Sequence, residues 1–122
     1  MKILKFIILW FLGLLCGIIL MILYRNSNPP LAKVTIKNES SSILSKVVIT
    51  EDRHNTNYLI ENIEPNSSKK AFLYIAGEGG YNLVVRFDDT KELIDGSYYT
   101  ESGYSDLFIV TNDSIIYKPG PY

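Results

Sequence analysis

The chain has 122 residues, a formal net charge of −1 and a hydrophobic fraction of 47%. That length allows one domain plus an appendage, and a lone cysteine excludes a disulfide-stapled fold. All thirteen acidic residues lie after residue 30, with nine of the twelve basic ones. The resulting balance of −4 makes that region a poor nucleic-acid binder, since such binders concentrate Lys and Arg on one face.

Residues 1–25 read as a transmembrane anchor. Phe6 to Tyr24 is an unbroken apolar run without a charged side chain. As a helix it spans roughly 28 Å at about 1.5 Å per residue, close to the hydrocarbon thickness of a bilayer. It has no polar face, which a buried helix of a soluble core would show. Lys2 and Lys5 resemble the basic region of a signal peptide, but the apolar run exceeds the usual length of one. No pair of small residues spaced for cleavage follows between Ile18 and Asn28. Cys16 follows Leu15, where a lipoprotein signal would place a small residue. The expectation is an uncleaved, single-pass anchor. Lys2 and Lys5 precede it, and Arg25, Lys33 and Lys37 follow, so charge counting does not fix its direction. The short basic tail favours the N-terminus inside, with the domain periplasmic or extracellular.

Gly13 and Gly17 form a G-x-x-x-G within this run, a spacing that lets two helices approach closely. They are the candidate residues for a homodimer through the anchor. Residues 26–30 are a short linker ending in Pro29-Pro30, stiff and extended at about 3 Å per residue.

Residues 31–122 carry a period near two, the signature of half-buried strands. Ala32, Val34 and Ile36 alternate with polar residues, and Val47 and Ile49 repeat the pattern. Tyr58 to Ile63, then Ala71, Leu73 and Ile75, give two more strands. Tyr81, Leu83, Val85 and Phe87 form the clearest alternation. Lys91 to Tyr99 is interrupted at Gly96, and Leu107 to Thr111 and Ile115 to Lys118 close the chain. Turn chemistry separates the runs at 64–67, 77–80, 88–90, 102–103 and 112–114. The fold class expected is all-β: one small antiparallel sandwich, immunoglobulin-like, of seven or eight strands after one helix, with an open barrel as second choice. The Cys–Trp–Cys core of antibody domains is absent, because Trp10 and Cys16 both lie in the anchor.

No motif commits the chain to a chemistry. His54, the sole histidine, sits in the polar stretch Glu51-Asp52-Arg53-His54-Asn55, and no second His or available Cys completes a metal set. Asp88-Asp89-Thr90-Lys91-Glu92 lacks the spacing that wraps calcium in six or more oxygens. Gly77-Glu78-Gly79-Gly80 lacks the Lys and following helix of a phosphate loop, and reads as a turn. There is no Gly-x-Ser-x-Gly elbow. No catalytic residue, metal or cofactor is therefore expected, and the protein is not expected to be an enzyme. Asn38-Glu39-Ser40, Asn66-Ser67-Ser68 and Asn112-Asp113-Ser114 match the glycosylation pattern, which matters only in a eukaryotic secretory pathway.

Tyrosine is the distinctive residue. Eight of nine lie in the domain, and Tyr98, Tyr99 and Tyr104 bracket one turn with Glu101. Tyr suits strands and interfaces alike. Neighbouring Tyr98 and Tyr99 point to opposite faces if extended. Tyr98, Tyr99, Glu101 and Tyr104 are the candidate partner-binding residues. The expected function is a membrane-anchored protein-interaction module outside the cytoplasm, such as an accessory subunit of an envelope complex. The alternatives are an immunity, inhibitor or exclusion protein that neutralises a toxin or phage component at the membrane, and a small hydrolase.

Overall fold

The computed structural model describes residues 1–27 and 30–120, without the side chains of 25–27. Asn28 and Pro29, two of the five residues of the expected linker, lie outside the described residues, as does Tyr122.

Helix α1 spans Lys2–Ser27, about 39 Å at the α-helical rise. It is built from Leu and Ile and has no internal proline or acid, so nothing interrupts its hydrogen-bond ladder. It runs through Asn26 and Ser27, beyond the expected anchor boundary at 25. Lys2–Tyr24 is long and apolar enough to cross a membrane, and a signal sequence near an N-terminus passes the same test. The side chains of Lys2–Tyr24 are not buried against the rest of the chain.

Eight strands follow: β1 Leu31–Asn38, β2 Leu44–Glu51, β3 Thr56–Ile63, β4 Ser68–Tyr74, β5 Glu78–Phe87, β6 Glu92–Glu101, β7 Ser105–Val110 and β8 Ile115–Lys118. They form two four-stranded sheets, ordered β4-β1-β7-β8 and β3-β2-β5-β6. The protein is thus a small β-sandwich preceded by one helix. The pairings are antiparallel except β1 with β7, which is parallel. That pairing sets the order apart from the ABED and CFG sheets of immunoglobulin domains. The glycine segment read as a turn is shorter than expected. Gly77, at φ +88°, makes the turn, while Glu78, Gly79 and Gly80 already pair with β6.

The alternation in sequence becomes the core. Ala32, Val34 and Ile36 from β1, Val47 and Ile49 from β2 and Tyr81, Leu83 and Val85 from β5 are fully buried between the sheets. Their burial is the main driving force for closing the sandwich, worth about 1.5–3 kcal/mol for a large aliphatic side chain. One end is tied by a polar latch. Asn38, fully buried, donates through Nδ2 to the carbonyls of Ile63 (2.8 Å) and Ser42 (2.9 Å). Its Oδ1 accepts from the Ser40 amide (2.9 Å) and hydroxyl (2.6 Å). The Asn38 sequence match to glycosylation is therefore a closed structural joint, with its amide committed to the fold. Along one flank, Tyr58 and Lys69 join the sheets: the Tyr74 amide donates to the Tyr58 hydroxyl (3.0 Å), and Lys69 Nζ to the Glu61 carbonyl (2.6 Å).

Candidate functional site

The candidate residues lie on β6, at the edge of its sheet, and on the turn into β7. Their disposition is decided by an irregularity. Tyr81 pairs with Tyr98, but Leu83 pairs with Asp95, so Asn82 alone faces both Gly96 and Ser97. This is a β-bulge, with Ser97 at φ +66° and its amide held by Asn82 Oδ1 at 2.8 Å. A Cβ on Gly96 would stand 2.8 Å from that same oxygen, so a side chain there would displace the Asn82 amide that holds the bulge. One extra residue inverts the side-chain parity of the strand beyond it. Tyr98 therefore faces inward and Tyr99 outward.

Tyr98 packs edge-on against Phe108, with centroids 4.8 Å apart, and against Tyr117 at 4.7 Å. Tyr81 lies 5.7 Å away. Together these rings fill the opening between edge strands β6 and β8, so Tyr98 belongs to the core. Its hydroxyl donates to Asp95. Burial, then that bond and the Asp95 charge, hold its phenol well above the ordinary value.

Tyr99 stands half exposed, at 50%, with its ring edge-to-face with Tyr104 at 6.1 Å and 76°. Its hydroxyl donates to Glu101. That bond first, then burial and the negative charges of Glu101 and Glu78, push its phenol up. Glu78 lies directly opposite Glu101 in the strand register. Gly103, at φ +92°, makes the turn that returns Tyr104 beside Tyr99. Tyr99, Tyr104, Glu78 and Glu101 thus compose an acidic, aromatic corner. Its rigid rings carry polar tips, and it can offer stacking area and carboxylates to a basic partner. Glu78 was absent from the expected set because its segment read as a turn.

The remaining candidates stay apart from this corner. Gly13 and Gly17 sit on one face of α1, four residues apart, with no neighbour within reach of an added Cβ. His54 is exposed. Its ring Nδ1 lies 3.2 Å from Glu51 Oε2, and Glu51 is 3% exposed. Glu51 also accepts the amides of Arg53 and His54, both at 2.8 Å. Burial pushes this carboxyl up, but the two amides and the His54 ring outweigh it, leaving it below its ordinary value. The arrangement is a clamp for the β2–β3 turn. Among the described residues, no group of three or more His, Cys, Asp or Glu side chains could hold a metal ion.

A second polar centre escaped the sequence reading. Asp106, 2% exposed, accepts the hydroxyls of Tyr81 (2.6 Å) and Tyr117 (3.1 Å). Burial, then the Asp106 bond, holds the Tyr81 phenol far above its ordinary value. The available signal was parity: Asp106 shares its phase with Phe108 and Val110, both buried. The two phenols supply the donors that a buried carboxylate needs, which makes this a structural centre of the aromatic plug.

No family model matches the chain, and no curated protein matches it. Among solved structures, it is similar to an NMR structure of a protein from Eubacterium rectale, with a TM-score of 0.60 and 8% identity. That match covers 75% of this chain and 91% of the other, and supports the sandwich fold alone. A crystal structure of listeriolysin O also matches, at a TM-score of 0.37 and 9% identity. There the match covers 75% of this chain and 22% of the other.

Proposed function

We propose that the protein is a membrane-anchored interaction module whose sandwich lies outside the cytoplasm and receives a protein partner at the Tyr99 corner. The observation that carries this reading is the half-exposed Tyr99, edge-to-face with the partly buried Tyr104 and flanked by Glu78 and Glu101. Tyrosine is enriched at protein interfaces, where its ring supplies contact area, and flanking carboxylates add selectivity by charge complementarity. The anchor reading rests on α1, an exposed apolar helix of spanning length without a small-residue cleavage site after it. The acidic corner also favours one version of the module, an immunity or exclusion protein that receives a basic toxin surface by charge complementarity.

Two measurements test this. Alkaline extraction of membranes should leave the chain in the pellet at full length, and release into the supernatant would remove the anchor. Partner recovery after crosslinking in cells should drop at least about tenfold in Tyr99→Ala, as expected when a central interface aromatic is truncated. Tyr104→Ala should weaken it less. Recovery equal to wild type in both variants would sink the Tyr99 corner as the docking point.

A further inference from the structure

The net charge of −4 conceals a segregation between the two sheets. The strands β3-β2-β5-β6 carry six acidic residues and two basic ones. The strands β4-β1-β7-β8 carry five lysines and one acid, the buried Asp106. The registers resolve which way these lysines point. Lys33 lies opposite Phe72, and Thr35 lies opposite both Lys70 and Leu107, which in turn pairs with Lys118. Lys37 shares that parity, while the alternate residues Val34 and Ile36 are buried. Four lysines therefore stand on the outer face of this sheet. Among the described residues, the one carboxylate that pairs with these four lysines is Glu39, just past the end of β1, at 2.5 Å from Lys37. Among the described residues, Lys33, Lys70 and Lys118 form no ion pair. Phe72 and Tyr74 stand among them, each 57% exposed.

A second observation fixes the occupant. Leu31, the first residue of β1, has the same outward parity and stands only four residues after the end of α1. From Ser27 to Leu31 the chain can reach only about 14 Å even when fully extended. We infer that the outer face of the β4-β1-β7-β8 sheet rests on the anionic headgroups of the bilayer that holds α1. This rests on the anchored reading above. Lysines supply the attraction, since each is worth ~1 kcal/mol near an anionic surface, and exposed aromatic rings suit the headgroup level. The acidic sheet and the Tyr99 corner then turn away from the like-charged lipid, toward partners.

The test uses the full chain in nanodiscs of phosphatidylcholine, with or without phosphatidylglycerol, and reads lysine acetylation by mass spectrometry. Lys33, Lys70 and Lys118 should be acetylated about fivefold more slowly in the anionic discs, the ratio that corresponds to ~1 kcal/mol. Lys46 on the opposite sheet should react equally in both, and high salt should abolish the difference. Lys70→Gln combined with Lys118→Gln should return Lys33 to its unprotected rate. These are surface changes, and unchanged thermal melting verifies the fold. Equal reactivity in the two lipids would overturn the inference while leaving the anchor intact. Failure of the chain to enter discs at all would instead overturn the anchored reading. Protection that follows protein concentration in either lipid would assign the face to a second copy. Salt-sensitive retention of duplex DNA by the neutral discs would assign it to nucleic acid. Either of these results overturns the lipid assignment.

Discussion

Thr100 carries a hydroxyl that is fully buried and has no hydrogen-bond partner among the described residues. It shares its parity with Tyr98 and lies opposite Gly79, on the inner side of β6. A buried hydroxyl loses its bonds to water and gains nothing in return, a cost of about 1–3 kcal/mol. Valine has nearly the same shape without the hydroxyl. Thr100→Val should therefore stabilise the domain by ~1 kcal/mol, raising the urea midpoint at constant slope; a lower midpoint would contradict it. Asn38 is the opposite case, because every polar atom of its amide is engaged. Nothing in the local sequence separates these two residues. Both sit in the inward phase of a strand, and only the three-dimensional neighbours determine whether an inward polar group is joined or orphaned. The same holds for Asp106, whose donors are Tyr81 from the other sheet and Tyr117 from the neighbouring strand β8.

Strand β6 shows what one inserted residue does to an element. The alternation of Tyr81, Leu83 and Val85 carries straight through β5, and that strand was legible from sequence. The interruption at Gly96 was visible too, but its consequence required the partner strand. The bulge at Gly96–Ser97 places Tyr98 in the aromatic plug and leaves Tyr99 for solvent. Because the bulge absorbs the extra residue, deleting Ser97 should restore regular pairing with Tyr98 still opposite Tyr81 and facing inward. Tyr98→Ala would instead remove the ring from Phe108 and Tyr117, and the domain should lose about 3 kcal/mol, the cost of removing a large aromatic from a core. Circular dichroism in denaturant measures this, and a loss below about 1 kcal/mol would show that the plug does not depend on the Tyr98 ring. The turns at 64–67, 88–90, 102–103 and 112–114 lie where Gly, Pro, Asn and Asp cluster, because those residues favour the backbone angles that turns need. The Gly77–Gly80 segment differs because glycine serves two ends there. Gly77 turns, whereas Gly80 gives Asp52 room: a Cβ would stand 2.6 Å from its carboxylate.

For the whole molecule, length and periodicity were enough to indicate one helix followed by a sandwich of short strands. The pairing of β1 with β7 was not legible, because parallel partners have no turn between them to announce the contact. Charge segregation was hidden for a related reason: it becomes visible only once strands are sorted into sheets. Stability against pH is also set at this scale, through Glu51. Its carboxyl titrates below its ordinary value of 4.5 when folded, so below that value the unfolded chain binds more protons. The stability it provides is complete above pH 4.5 and is lost as pH falls through the lower, folded value. Glu51→Gln should therefore flatten the acid limb of a melting-temperature profile and leave less stability at pH 7. An acid limb identical to wild type would show that the clamp is not ionic.

The parallel pair also has a mechanical consequence. The strand that continues from α1 is held inside its sheet, bonded to β4 on one side and β7 on the other. A pull between α1 and a bound partner would load β1 along its length. Its hydrogen bonds would then bear the force together, in shear, instead of opening one after another from an edge. The sandwich is thus attached by one of its interior strands, an arrangement suited to a protein whose partner tugs against a fixed surface.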